Sequence, residues 1–344
     1  MLCEISCCAR LLFLRKRQMA RLLLVPDVHG SHEWEVIKKI PQDSYDYIVF
    51  HGDYFDSWVN EWPDQGENFE SICAFVRQDT EHRKLLLGNH DWAYISGTKG
   101  PACSGNQHCF ENEINELITK NLDIIDLAFE CDGWVCSHAG FSSTWVKFIL
   151  KAFHHMLDKW SDDEKTNTSW LVWDEKEFNI KFLNEQWHKL SHIRGEENFW
   201  ESFDKLLDWY GLFNGSGDEI TQGPLWIRPN SLLKDAYYKN QIVGHTEICL
   251  YDSIFMQQDE NRVIFIDSAI HEVYGIFDTA IEHDFITYEN FFVQRKKTLK
   301  VIQDIKSQII YFNNSSELIQ KKLREHFSDE VANKLLKIAF KDWI

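Results

Sequence analysis

Leu22-Leu23-Leu24-Val25-Pro26-Asp27-Val28-His29-Gly30 is the stretch from which the fold can be read. Four apolar residues run without alternation into a proline, and a polar cluster then ends at a glycine. A short unbroken apolar run bounded by turn residues reads as a strand buried on both faces. Asp27 and His29 flank Val28, so in an extended segment both point to one side. The pattern recurs downstream. Tyr47–Phe50 ends at His51-Gly52-Asp53, and Leu85–Leu87 ends at Gly88-Asn89-His90-Asp91. Trp134–Cys136 ends at Ser137-His138-Ala139-Gly140, and Ile242-Val243 ends at Gly244-His245-Thr246. Helix-like stretches such as His32–Ile40 and Glu67–His82 lie between these runs. The alternation predicts an α/β protein whose polar residues collect at the C-terminal ends of strands, where open α/β sheets place their sites.

The rest of the chain is organised around that core. Residues 1–18 read as an upstream start or a disordered arm. Their basic cluster, Arg15-Lys16-Arg17, follows the apolar run Leu11–Leu14, the reverse of a secretory signal. A body is expected over 19–293. Between about 141 and 224 the texture turns helical, and with its edges this stretch holds eight of the 14 tryptophans, which predicts an inserted subdomain with a tryptophan core. Residues 294–344 read as a basic helical tail, with 11 Lys/Arg against 6 Asp/Glu; a solvated face is the favoured reading, docking on the acidic body the other.

Composition excludes several classes. The 344 residues carry 36 basic and 54 acidic side chains, net −18, the wrong sign for broad nucleic-acid binding. No stretch approaches the ~20 apolar residues of a membrane span. Six prolines and 16 glycines rule out a collagen-like chain. Nine irregularly spaced cysteines read as reduced thiols in a cytoplasmic protein, not a disulfide framework. Cys103, His108 and Cys109 lack a second matching pair, and ordinary loop residues are the better reading than a zinc cluster. His32, His51 and His82 are read as structural, and Arg194 as a surface residue.

The strand ends deliver imidazole, carboxylate and amide groups and no thiolate. That set suits two hard divalent ions, which would also offset the cost of gathering so many polar side chains in an apolar sheet. Asp27 and His29 can hold one ion, Asn89, His138 and His245 the second, and Asp53 can bridge them, clamping an oxygen nucleophile and a phosphoryl group in line. Glycines before Asp53, Asn89 and His245 are expected to let the backbone turn sharply there.

In this order the motifs resemble the calcineurin-like metallophosphoesterases, over about residues 22–280. They are Asp27-x-His29-Gly30, Gly52-Asp53-x-x-Asp56, Gly88-Asn89-His90-Asp91, Ser137-His138-Ala139-Gly140 and Gly244-His245-Thr246. Leu225-Trp226-Ile227-Arg228, Ile266-Asp267-Ser268-Ala269 and Tyr274-Gly275 bring it closest to the bacterial and phage phosphoprotein phosphatases. The resemblance implies a four-layer α/β/β/α sandwich, with the helical insert and the helical tail as additions. It implies Asp27, His29 and Asp53 on one metal and Asp53, Asn89, His138 and His245 on the other. Manganese comes first as the metal, with Fe, Zn, Ni or Mg as alternatives.

By the same resemblance, a metal-bridging hydroxide attacks phosphorus, His90 protonates the leaving oxygen and Asp56 orients His90. Arg228 and Asn89 hold the phosphate, which comes from a small molecule, nucleotide or phosphoprotein. One position departs from the family: Ser57 stands where the phosphatase branch usually has a phosphate-binding arginine. Phosphomonoester hydrolysis is the first reading. Phosphodiester or dinucleoside polyphosphate hydrolysis is the second, and a non-catalytic binding scaffold is the reading from another class.

Overall fold

The computed structural model describes residues 20–57, 59–95, 103–150, 178–192, 207, 218–246, 255–267 and 275–279. The expected arm 1–18, the tail 294–344 and most of the insert lie outside the described residues. Within the insert, 143–150 and Ile180–His192 carry described helix.

Two five-stranded sheets form the centre. The first contains β1 (Arg21–Val25), β2 (Tyr47–Phe50), β3 (Arg83–Leu86), β4 (Ile125–Asp126) and β10 (Gly275–Asp278), in the order β10-β1-β2-β3-β4. β1 to β4 run parallel, and β10 is antiparallel to β1. The second contains β5 (Ala128–Cys131), β6 (Trp134–Ser137), β7 (Asn240–Val243), β8 (Phe255–Gln258) and β9 (Asn261–Phe265), in the order β5-β6-β7-β9-β8. β6, β7 and β9 are parallel, with antiparallel strands at both edges.

The unbroken apolar runs are explained by two-sided burial. Leu22 and Leu24 pack with Val49, Leu86, Trp134, Cys136, Ile242 and Ile264 between the sheets. Leu23, Val25, Ile48, Phe50 and Leu85 face the other way, into a core shared with helices α1 (Asp64–Arg77) and α3 (Glu111–Lys120). On the far side, Val243, Val263 and Phe265 are covered by Leu232 and Leu233 of α5 (Pro229–Asp235). Helix, sheet, sheet and helix thus stack as the motifs implied. Among the described residues, no helix is long and apolar enough to cross a membrane.

Two elements differ from their sequence reading. His32–Lys39 is a 3-10 helix whose buried residues are Trp34 and Ile37, an i, i+3 pair that eclipses at three residues per turn. The helix expected over Glu67–His82 runs from Asp64 to Arg77. It stops because the Asp79 side chain takes the His82 backbone N–H at 3.2 Å, holding a turn in place of another helical one.

The insert's tryptophans behave as core where they are described. Trp145 and Trp187 are fully buried. Trp187 lies on α4 (Ile180–His192), donates its indole N–H to the Ile125 carbonyl at 2.7 Å and meets Trp92 edge-on. Trp160, Trp170, Trp173, Trp200 and Trp209 lie outside the described residues.

Candidate metal centre

Every sequence-predicted site residue except Arg228, which precedes α5, follows the C-terminal end of a strand or stands close beyond one. Asp27 and His29 follow β1, and Asp53 and Asp56 follow β2. Asn89 and His90 open α2 (Asn89–Ile95) after β3, His138 follows β6 and His245 follows β7. His29, Asp53, Asp56 and His245 all have positive φ, of 43°, 52°, 67° and 59°. Non-glycine residues rarely hold this conformation unless the surroundings impose it, and such strain concentrates at functional sites.

The glycines act differently from the sequence expectation. Gly52 does turn in the left-handed region, with φ 102°. Gly88 and Gly244 do not; a Cβ on Gly88 would collide with Asp53, and one on Gly244 with the Asp27 carboxylate. These two positions are glycine because a carboxylate approaches the backbone, not because the chain reverses there.

Asp53 is the centre of the cluster. His138 Nε2 lies 3.5 Å from its Oδ1, and His29 Nε2 and His90 Nε2 lie 3.8 and 3.9 Å from its Oδ2. Asp53, His138 and His245 bring one ligand atom each within 4.8 Å of one another, and so do His29, Asp53 and His90. Asn89 Oδ1 lies 2.7 Å from His138 Nε2 and 2.9 Å from His245 Nδ1, completing the group expected around the second ion. The first group is less compact than expected. His29 and Asp53 are joined by His90, whereas Asp27 lies 3.9 Å from His138 Nδ1 and accepts the His245 backbone N–H.

The protonation pattern tests whether cations fit. A backbone carbonyl can only accept, so the ring nitrogen facing it carries the proton. His138 Nδ1 donates to the His51 carbonyl at 2.7 Å, His29 Nδ1 to Phe55 at 2.9 Å and His245 Nε2 to Trp226 at 3.2 Å. His138 and His245, kept neutral by burial, therefore turn a lone pair toward the Asp53 carboxylate and the Asn89 amide oxygen, which also only accept. A cation between them resolves acceptor facing acceptor, and a carbonyl on the far ring nitrogen is the usual outer support of a metal-binding histidine. Burial holds His138 and His245 on the neutral side, pushing both below the ordinary imidazole range. Burial, then the charges of Asp267 and Asp53, push the Asp27 carboxyl well up, so this crowd of carboxylates also calls for positive charge. The oxygen and nitrogen donor set fits hard divalent ions.

Asp91 braces the loop carrying Asp53, accepting the backbone N–H groups of Asp53, Tyr54 and Gly88 at 2.8, 2.8 and 2.9 Å. His90 Nδ1 pairs with Asp56 Oδ2 at 2.7 Å. Burial alone would lower the His90 pKa, but the Asp53 and Asp56 carboxylates raise it to about 9. Arg228 is half-buried beside His245, its Nη1 donating to the His245 carbonyl at 3.0 Å and to Thr246 Oγ1 at 3.1 Å. Ser57 Oγ accepts from the N–H groups of Val59 and Asn60 at 3.2 and 3.0 Å. Position 57 therefore supplies a turn and no cation.

Sequence reading missed three contributors. The His51 carbonyl sets the His138 tautomer. Asp267 acts on Asp27 through its charge. Cys103 Sγ takes the Asn89 Nδ2–H at 3.6 Å and lies close to Asp56 and His90, apart from the exposed His108 and Cys109. Only Asp267, at the end of an apolar run, carried a sequence signal. Of the residues read as structural, His51 is buried, while His32 pairs with Asp64 and His82 with Asp79. Arg194 lies outside the described residues.

A family model described as calcineurin-like phosphoesterase matches residues 20–246. No curated protein matches the chain. Among solved structures, a mutant of a cold-active protein tyrosine phosphatase is 16% identical over 75% of each chain, with a TM-score of 0.45. A protein serine/threonine phosphatase from Saccharomyces cerevisiae is 14% identical over 37% of this chain and 40% of that one, with a TM-score of 0.27. A metallophosphoesterase from Sphaerobacter thermophilus is 19% identical over 35% of this chain and 46% of that one, with a TM-score of 0.24.

Proposed function

The chain belongs to the calcineurin-like phosphoesterase family, and we propose that it is a phosphomonoesterase with a dinuclear centre held by Asp27, His29, Asp53, Asn89, His138 and His245. The observation that carries this reading is the pair His138 and His245, whose lone pairs face the oxygens of Asp53 and Asn89, with His29 Nε2 3.8 Å from the same Asp53 carboxylate. Two divalent cations, manganese as first choice, would supply positive charge for the phosphoryl oxygens and an acidified water as nucleophile. The chain's own residues do the rest. Arg228 and Asn89 orient the phosphoryl group. His90, held by Asp56, gives a proton from Nε2 to the leaving oxygen. The apolar faces of both sheets exclude bulk water from behind the site.

Ser57 favours a second reading, phosphodiester or dinucleoside polyphosphate hydrolysis, because a missing cation relaxes the demand for a doubly charged phosphoryl group. Hydrolysis of p-nitrophenyl phosphate against bis-p-nitrophenyl phosphate, on protein stripped of metal and reloaded with manganese, separates the two. Faster turnover of the monoester supports the first reading and faster turnover of the diester the second. No turnover of either with Mn, Fe, Zn, Ni or Mg would favour a binding scaffold.

The substrate is a phosphorylated small molecule, nucleotide or protein. The domain plan is a body over 19–293 with a helical insert at about 141–224. A cytoplasmic setting remains the reading of the nine irregularly spaced cysteines.

A further inference from the structure

His90 and Tyr94 stand four residues apart on α2, so their side chains share one face of the helix. Both reach the same buried carboxylate. Asp56 Oδ2 accepts from His90 Nδ1 at 2.7 Å, and Asp56 Oδ1 accepts from the Tyr94 hydroxyl. The Tyr94 oxygen in turn accepts the backbone N–H of Gln107 at 2.8 Å. A phenol has one proton, and with Gln107 donating to its oxygen that proton goes to Asp56. Burial, then the Asp56 charge, push the phenol up, so it remains a donor. The Tyr94 ring is packed edge-on against Phe55, and its backbone carbonyl takes the Asn115 Nδ2–H at 2.5 Å. The hydroxyl is therefore held on a fixed mount.

A carboxylate held by one oxygen can swing about its own bond. One held at both oxygens, by two donors from a single helix, cannot. We propose that Tyr94 is a positioning residue, which acts through Asp56 to fix the direction in which His90 presents Nε2 to the leaving oxygen. The inference rests on the reading of His90 as the proton donor.

The test uses the full-length, metal-loaded protein and a series of phosphate esters running from nitrophenyl to alkyl leaving groups. Tyr94→Phe keeps the ring and removes the hydroxyl. Misaimed proton transfer penalises poor leaving groups most, so kcat is expected to fall about tenfold for alkyl esters and little for nitrophenyl phosphate. KM and metal content are expected to stay unchanged. In an Asp56→Asn background, Tyr94→Phe is expected to have no further effect, because its route runs through Asp56.

A uniform loss across the series, no loss, or an equal loss in the Asp56→Asn background would overturn the proposal. Should Tyr94→Phe fail to fold, 3-fluorotyrosine at position 94 preserves the shape and alters the donor. A changed leaving-group dependence then supports the proposal, and an unchanged one overturns it. A wild-type protein inactive on the whole series would instead overturn the reading on which the proposal rests, and the proposal with it.

Discussion

The backbone N–H of His245 donates to both carboxylate oxygens of Asp27, at 3.1 and 3.0 Å, across 218 residues of sequence. That contact ties the end of β1 in one sheet to the end of β7 in the other, so the site lies at the C-terminal strand ends of the two stacked sheets. Gly244 makes it possible, since any side chain there would occupy the place of the Asp27 carboxylate. Gly244→Ala is accordingly expected to weaken metal retention by about 10- to 100-fold while the protein still folds. Titration of the stripped variant with manganese measures this; wild-type affinity would show that the contact is dispensable.

Asp53 stands within 4 Å of His29, His90 and His138. Asp53→Asn keeps the shape and removes the charge that these groups, and the two proposed cations, would share. Turnover is expected to disappear and metal to be lost on dialysis. A variant that keeps both its metals and its activity would remove Asp53 from the bridging position.

His90→Ala leaves the other nitrogen and oxygen donors in place. The rate is expected to fall by about 10²- to 10⁴-fold, the usual contribution of a positioned proton donor, with metal content unchanged. Loss of the metals together with the rate would make His90 a ligand, and its closeness to His29 and Asp53 is the geometry such a result would reflect.

Trp187 anchors α4 to the end of the first sheet through its bond to the Ile125 carbonyl. Trp187→Phe removes the donor and leaves a buried carbonyl unpaired, with an expected loss of about 1–3 kcal/mol. Thermal unfolding measures it, and an unchanged midpoint would mean that the helix is held by other contacts.

Much of this molecule is legible in its sequence because β1, β2, β3, β6 and β7 each carry an apolar run that ends in a polar cluster. Two-sided burial and a site at the strand ends are the only economical use of that pattern. Local geometry was less legible. Glu67–His82 reads as helix by periodicity, and a single Asp79 side chain ends it early. Gly88 and Gly244 read as turning points, but they serve close approach, which depends on partners far away in the chain. The His51 carbonyl and Cys103 reach the site only through the fold, one by its backbone and the other from a position 14 residues beyond Asn89. Tyr94 did have a signal, its four-residue spacing from His90, but that spacing acquires meaning only once Asp56 is seen between them.

In the proposed centre, six side chains hold two cations. Elemental analysis of metal-replete protein after gel filtration, run beside His138→Ala, tests it most directly. Two equivalents per chain in the wild type and a marked deficit in the variant are the predicted result. Wild-type protein that emerges with no bound metal, or a variant that binds as much as the wild type, would contradict it.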